Sequence, residues 1–174
     1  MNRFFQKVLI AVLAIIVCGA SSLRAQSVNM DRYMTITVKQ GASINFSMWA
    51  DAADTQVKIV SGSNEQTIPV DASWTAMNDY VAGATTIKIY GNVLKLNCFR
   101  NGLNVTGLDV SHNPQLQELN CYSNGLTSLD ISGNTQLELL SCYDNKLTSL
   151  NLSNSLQLTE LNCQDNSLTS LDVS

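Results

Sequence analysis

Four cysteines recur at nearly constant intervals through the second half of this chain. Cys98, Cys121, Cys142 and Cys163 are separated by 23, 21 and 21 residues. Four thiols suggest a zinc site, which requires sulfurs about 2.3 Å from one ion, or disulfides. A repeat of this length, however, is typical of stacked structural units. One thiol per unit forms a column with steps of about 4.8 Å, so we expect free cysteines that serve as small buried hydrophobic residues.

Carboxylates form a second column with the same interval. Its members are Asp109, Asp130, Asn151 and Asp172. Stacked carboxylates are ligands that calcium prefers, but Asn151 interrupts the column. We therefore expect a solvated surface here, and the sequence predicts neither a metal site nor a cofactor.

The single histidine, His112, has no catalytic partner in the sequence. It lies in the loop SHNP and aligns with Gly133 and Asn154 of later repeats, so we expect a surface loop residue. No serine or cysteine is placed as its nucleophile partner. The chain also lacks a glycine-rich phosphate loop and a recognisable pair of catalytic carboxylates. The sequence therefore predicts that the protein is not an enzyme, with an unrecognised enzyme as an alternative.

The repeat that carries the cysteines has the pattern LxxLxCxxNxL. Its copies occupy residues 93–103, 116–126, 137–147 and 158–168. An asparagine three residues after each cysteine forms an unbroken column of Asn101, Asn124, Asn145 and Asn166. An amide side chain can bond the backbone of a tight turn. Stacked turn over turn, these amides should form a ladder.

The repeat resembles the conserved half of a leucine-rich repeat over residues 93–174. That resemblance implies a short parallel strand on a concave face, with Leu119 and Cys121 pointing inward. The intervening half repeats the same spacing, as in residues 126–131, which resembles a bacterial subclass with two half-repeats in each 21-residue unit. This subclass implies an extended convex side. Independently, ten residues are too few for a helix and two turns, so we expect almost no helix.

The outward strand positions beside the cysteines are the sharpest candidate for a binding site. The predicted ligand-binding residues are Phe99, Tyr122, Tyr143, Gln164, Asn97, Asn120, Ser141 and Asn162, flanked by Glu118 and Glu160. Aromatic rings give a large contact area for little lost side-chain freedom. Stacked rings also stabilise a parallel sheet without binding anything, so a binding patch and a structural ladder are both open interpretations.

The N-terminal third lacks the repeat and shows the alternation of half-buried strands instead. Apolar residues occupy every second position in 34–38 and 44–48. This pattern predicts a small β-sandwich-like module at 26–83 that leans on the first repeat, because so short a chain forms a marginal core alone. Residues 80–90 resemble a PKD-like module of the kind that precedes leucine-rich repeats in some secreted bacterial proteins. Residues 57–62 depart from it, since they replace the tryptophan and acidic turn typical of such modules.

The first 25 residues have the layout of a secretory signal peptide. Arg3 and Lys7 precede an unbroken apolar run at 8–17, and small residues lead to Ala25. The run is too short to span a bilayer as a helix. We predict cleavage after Ala25, with lipid attachment at Cys18 as the alternative.

Charge excludes two classes of partner. The chain has 10 Lys and Arg against 14 Asp and Glu, and loss of the first 25 residues would remove three of the basic residues and no acidic one. An acidic chain without a basic cluster argues against nucleic acid and against anionic membrane surfaces. No stretch beyond the signal peptide is apolar enough to span a membrane.

The sequence thus predicts a mainly β protein in three parts. A signal peptide at 1–25 is followed by the module at 26–83, which caps a four-coil leucine-rich-repeat solenoid at 84–174 with a parallel concave sheet. The expected function is that of an exported recognition module that binds protein or glycan through the concave face. A structural spacer or stalk of a larger surface protein is the alternative. The last repeat ends without a polar cap, so we also expect either a longer protein or end-to-end self-association.

Overall fold

The computed structural model describes residues 27–171, which form eleven β-strands and no helix. The strands are β1 (Tyr33–Val38), β2 (Ser43–Ala50), β3 (Thr55–Ser61), β4 (Asn64–Val70), β5 (Asn78–Val81), β6 (Thr86–Tyr90), β7 (Val93–Asn97), β8 (Val105–Asp109), β9 (Glu118–Asn120), β10 (Leu139–Ser141) and β11 (Glu160–Asn162). The predicted β class and lack of helix are therefore confirmed for this part of the chain, which accordingly offers no helix long and apolar enough to cross a membrane. The predicted signal peptide, Cys18 and Asp172 lie outside the described residues.

The strands form two open sheets. The first has five strands in the order β4-β3-β6-β1-β8, all paired antiparallel. The second has six strands in the order β11-β10-β9-β7-β2-β5. Its repeat strands β7, β9, β10 and β11 run parallel, whereas β2 and β5 pair antiparallel. We use the word coil for each unit of the repeat: residues 93–115, 116–136, 137–157 and 158–171.

The module and the first coil are joined through both sheets. In the six-stranded sheet β2 pairs with β7, so that Met48 lies opposite Leu96. In the five-stranded sheet β1 pairs with β8, so that Ile36 lies opposite Leu108. Each strand of the first coil therefore gains a hydrogen-bonded neighbour from the module on the side away from the next coil. β6 follows residue 83, yet it lies in the five-stranded sheet between β3 and β1, which both belong to the predicted module. The domain boundary at residue 83 therefore stays a prediction.

One continuous apolar core runs beneath both sheets and along the coils. Strand alternation places one face of β2 inward, with Ile44, Phe46 and Met48 fully buried. The repeat does the same for the coils, because a fixed period gives each position the same surroundings in every unit. Leu119 and Cys121 are fully buried, as the resemblance implied. Burial at roughly 1.5–3 kcal/mol for each large apolar side chain makes this column the main stabilising element of the stack.

The asparagine column forms the predicted ladder at the end of each repeat strand. The Asn124 Nδ2 donates hydrogen bonds to the Cys121 carbonyl at 2.9 Å and to the Cys98 carbonyl of the preceding coil at 3.0 Å. Asn145 and Asn166 repeat this arrangement. Each amide thus joins its own turn to the turn before it.

The first rung of this ladder uses the module as its preceding coil. The Asn101 Nδ2 donates to the Asn45 carbonyl at 2.9 Å, and the Asn101 Oδ1 accepts from the Asn45 N–H at 2.8 Å. The backbone of β2 therefore supplies the hydrogen-bonding groups that a further coil would otherwise supply. This contact fixes the height and direction of β7 relative to β2.

The residue before each ladder asparagine adopts a left-handed backbone. Arg100, Ser123, Asp144 and Asp165 have φ between 52° and 57°. This conformation is uncommon in residues other than glycine, and it turns the chain sharply out of the strand. The turn directs the next side chain, the asparagine, back toward the stack.

The opposite side of the coils is extended but mostly not in strands. The first coil has β8 there, and the second is joined to it by an isolated parallel bridge between Asp109 and Asp130. The Asp109 carboxylate accepts hydrogen bonds from the Ser111 N–H and hydroxyl, and Asp130 accepts one from the Ser132 N–H. These bonds form Asx turns, which explains the carboxylate column without a bound cation.

The fourth coil is the least covered of the described units. Leu161, Cys163 and Leu168 are only partly buried, and Leu156, at the end of the third coil, is 86% exposed. The residues equivalent to the first three in the second and third coils are buried, because a following coil packs against them. A shallow hollow of about 240 Å³ lies beside Leu152, Ser155 and Leu158 at this end.

Candidate recognition face

The predicted binding residues all belong to one surface, the outward side of the six-stranded sheet. We call it the outward face and define it by three columns on the coils: Lys95, Glu118, Leu139 and Glu160; Asn97, Asn120, Ser141 and Asn162; Phe99, Tyr122, Tyr143 and Gln164. The parallel register places the members of the first two columns directly opposite one another. The aromatic column follows at the carboxyl ends of the strands.

Three aromatic rings form a continuous stack across the first three coils. The ring centroids of Phe99 and Tyr122 are 4.6 Å apart with planes 5° from parallel, and those of Tyr122 and Tyr143 are 4.4 Å apart at 9°. These distances are close to the spacing of neighbouring strands, about 4.8 Å, so the sheet itself sets the stacking. All three rings are half-buried. Their faces cover one another and their edges point to solvent.

The stack also has an electrostatic character. The Arg100 guanidinium lies 5.9 Å from the centre of the Tyr122 ring, within the range of a cation–π interaction. Burial raises the pKa of the Tyr122 hydroxyl, and the neighbouring Tyr143 adds to that increase. Tyr122 is therefore a neutral hydrogen-bond donor at physiological pH.

Polar side chains beside the stack are connected in a network. The Asn120 Nδ2 donates to the Asn97 Oδ1 at 2.7 Å and to the Glu118 Oε1 at 2.8 Å. The other carboxylate oxygen of Glu118 lies 3.3 Å from the Lys95 Nζ. Lys95 in turn lies over the ring of Trp49, 4.5 Å from its centre. Since each group holds the next, these side chains are fixed before any ligand arrives.

Two tryptophans extend this surface and were not among the predicted site residues. Trp49 lies on β2 directly opposite Lys95, and Trp74 meets it edge to face with centroids 6.1 Å apart. The alternation of Ile44, Phe46 and Met48 already placed Trp49 on the outward side of its strand. What the sequence did not show is that β2 lies next to the first repeat strand.

The remaining predicted residues differ in how far they are exposed. Ser141 is buried, at 6% exposure, whereas Glu160, Asn162 and Gln164 on the fourth coil are exposed. A small cleft of about 160 Å³ runs along the start of the strands beside Lys95, Glu118 and Glu160. The aromatic and amide residues of the first three coils are thus more buried than the predicted residues of the fourth coil.

The cysteine column lies behind this face, and its buried thiols have low reactivity. Cys98, Cys121 and Cys142 are free and buried, and burial raises the pKa of Cys98 and of Cys142 to about 12. The pKa of Cys121 is also raised well above its usual value, by burial and then by its two neighbours. Cys163 is free but only partly buried, so the expectation of buried thiols was wrong for the last cysteine. A thiol reacts as its thiolate, and the three buried cysteines therefore act as packing residues.

Two other candidates from the sequence have structural explanations. His112 is exposed, and its ring stacks on Tyr33 with centroids 4.2 Å apart. Within residues 27–171, no group of three or more His, Cys, Asp or Glu side chains is arranged to hold a metal ion.

A larger cleft of about 440 Å³ lies away from the outward face of the coils, between the β3–β4 hairpin and β5.

Comparison with known proteins gives one local likeness. No protein-family model matches the chain, and no curated protein matches it. The chain is similar to a solved structure described as the functional domain of InlJ from Listeria monocytogenes, which includes a cysteine ladder. The two are 41% identical over 47% of this chain and 18% of that chain, with a TM-score of 0.46. The chain therefore spans about a fifth of that structure, and the likeness does not assign it to a family.

Proposed function

We propose that this chain is an exported, non-enzymatic recognition module that binds a protein through the outward face of its coils. In this proposal the coils form a leucine-rich-repeat solenoid, the outward face is its concave side, and the N-terminal module is its cap. The observation that carries the proposal is the half-exposed stack of Phe99, Tyr122 and Tyr143. Aromatic residues are enriched among those that dominate binding energy at protein interfaces.

The geometry of the stack favours a protein over a glycan. Sugars are held by aromatic rings through the flat ring face. Here both faces of Tyr122 are covered by its neighbours at 4.6 and 4.4 Å. Ring edges, tyrosine hydroxyls and the amides of Asn97 and Asn120 remain for contact, and these groups suit the mixed apolar and polar surface of a protein.

The order of the face also supports binding. The network from Lys95 through Glu118 and Asn120 to Asn97 holds long side chains in one arrangement. A surface that is already ordered loses little conformational freedom when a partner docks, and this lowers the cost of association. Cross-strand pairs such as Lys95 with Glu118 and Asn97 with Asn120 also stabilise a sheet, so the experiment below measures binding and stability separately.

The experiment replaces Tyr122 and Tyr143 with Ala together and measures partner capture and stability on the same preparations. Exported protein from the full chain is immobilised and exposed to surface proteins, and bound proteins are identified by mass spectrometry. We expect the double variant to lose capture of a defined partner by more than about 1 kcal/mol for each ring while its far-UV circular dichroism is unchanged.

The matched control is Tyr33→Ala. Tyr33 is also a half-buried aromatic residue, but it belongs to the five-stranded sheet, where it stacks on His112. Its loss should leave capture unchanged. If the double variant is strongly destabilised and its folded fraction binds as the original protein does, the stack is a structural ladder and the proposal is wrong.

A further inference from the structure

The outward face does not end at the first coil. β2 of the module is the next strand of the same sheet, with Trp49 opposite Lys95 and Ser47 opposite Asn97. β5 follows, with Asp79 opposite Asn45. Because inward and outward side chains alternate along each strand, Trp49 on the outward side of β2 continues the surface formed by the coils, whereas Ser47 is covered, at 2% exposure.

The tryptophan pair is linked to the coils by direct contacts. Trp74 packs edge to face on Trp49, and Trp49 receives the Lys95 ammonium on its ring face. Lys95 is paired with Glu118 of the second coil. Displacing either tryptophan would therefore disturb the network that orders the coil residues. These contacts connect the two surfaces without a break.

The module also enlarges the flat area that a partner could cover. Four strands at about 4.8 Å and five residues at about 3.3 Å cover roughly 300 Å² in projection. Adding β2 and β5 widens the sheet to roughly 29 Å, and the segment from Asp71 to Met77 beside β2 adds Trp74 at its margin.

Charge is distributed unevenly along this extended face. Lys95 and Arg100 lie nearest the module, and both already have partners in Glu118 and the Tyr122 ring. The exposed charges of the third and fourth coils are mostly acidic, with Lys146 as the single basic side chain against Glu138, Asp144, Glu160 and Asp165. A partner that fits this pattern places apolar groups over the tryptophans and basic groups over the last two coils.

We propose that Trp49 and Trp74 of the module form one continuous interface with Phe99, Tyr122 and Tyr143, and that its occupant is a protein segment with an apolar part and a basic part. This inference rests on the proposed function, since it extends the same binding face. It gives the module a direct role in recognition in addition to covering the first coil. The partner spans the junction between β2 and β7, with its basic part toward the fourth coil.

A random peptide-display library, selected against protein produced from the full 174-residue chain, supplies the probe. We expect enriched peptides to combine apolar residues with Lys or Arg. Trp74→Ala should weaken a selected peptide by about tenfold or more, as expected at an interface hot spot, and so should the Tyr122→Ala/Tyr143→Ala double variant. Tyr33→Ala is the control and should leave the affinity unchanged.

Three further measurements keep the test independent of folding defects. Trp74→Leu retains apolar volume without the ring and should also weaken binding. The chain has two tryptophans, so Trp74→Phe leaves Trp49 as the only indole, and a saturating peptide should change its fluorescence. Asp144→Asn with Glu160→Gln should slow association and reduce its salt dependence.

The outcomes separate this inference from the proposed function. Affinity loss in the tyrosine variant alone, with no change in Trp49 fluorescence, overturns the extended interface and leaves the coil face intact. Affinity loss with Trp74→Ala alone, or with neither variant, overturns the coil face as well. Enrichment of neutral or acidic peptides overturns the basic partner, and the absence of any enriched peptide overturns both proposals.

Discussion

Replacing Asn124 with Ala should be among the most destabilising single changes at the coil turns. The side chain is 7% exposed and makes three hydrogen bonds. Its Nδ2 donates to the Cys98 and Cys121 carbonyls at 3.0 and 2.9 Å, and its Oδ1 accepts from the Asn101 N–H at 3.0 Å. Alanine keeps the backbone but removes all three bonds, which join two successive coils.

The magnitude follows from which groups are left without a partner. Both carbonyls keep a second donor, because Asn101 Nδ2 also bonds the Cys98 carbonyl and Asn145 Nδ2 also bonds the Cys121 carbonyl. The Asn101 N–H loses its acceptor inside the protein, which costs about 1–3 kcal/mol. Two further bonds at about 0.5–1.5 kcal/mol each bring the expected loss of unfolding free energy to about 2–6 kcal/mol.

Urea denaturation at neutral pH, followed by circular dichroism, measures this loss. The control is Asn154→Ala, since Asn154 is exposed and makes one long hydrogen bond of 3.4 Å to the Ser132 carbonyl; a change within about 0.5 kcal/mol is expected for such a surface site. A loss below about 1 kcal/mol for Asn124→Ala, with an unchanged denaturant slope, would mean that water replaces the amide. The ladder would then not stabilise the stack.

Three other predictions concern the thiols, acid stability and export. In native protein a thiol reagent should label Cys163 rapidly and the other three cysteines of the coils only after unfolding, and rapid labelling of all four would contradict their burial. The hydrogen bonds from Ser111 hold the pKa of Asp109 below its usual value, so the contribution of the Asp109 carboxylate to stability is present at neutral pH and is lost as the pH falls through that lowered pKa. Asp109→Asn should therefore reduce the acid sensitivity of the melting temperature. An unchanged pH profile would refute the link between Asp109 and acid stability. Sequencing of the exported protein should show a chain that begins after Ala25, whereas a lipid-modified Cys18 at the N-terminus would show the alternative route.

The repeat made the coils predictable from sequence. A period of 21 residues gives Cys98, Cys121 and Cys142 the same surroundings, and all three are buried. The same logic located the ladder of asparagines, because a tight turn has backbone groups that the sheet does not satisfy. Cys163 differs because the fourth coil has no later strand packed on it within the described residues.

The arrangement of the module was less predictable. Alternation in β2 gives the inward and outward sides of that strand, but it does not name the neighbouring strand. Pairing of β2 with β7 joins residues about fifty positions apart, and nothing local in either segment encodes it. Trp49 was therefore missed as a site residue although its orientation could be inferred. Whether the outward residues bind a partner stays a prediction.

The direction of the sheet hydrogen bonds has a mechanical consequence. Successive coils are held by bonds between β7, β9, β10 and β11 that lie along the axis of the stack. Tension applied between the two ends would load these bonds one strand at a time, so that coils peel successively from the β11 side and do not shear together. Each 21-residue unit would release roughly 70 Å of chain. A protein tethered between two surfaces would thus lengthen in regular steps, while the antiparallel junction of β2 and β7 would be loaded last.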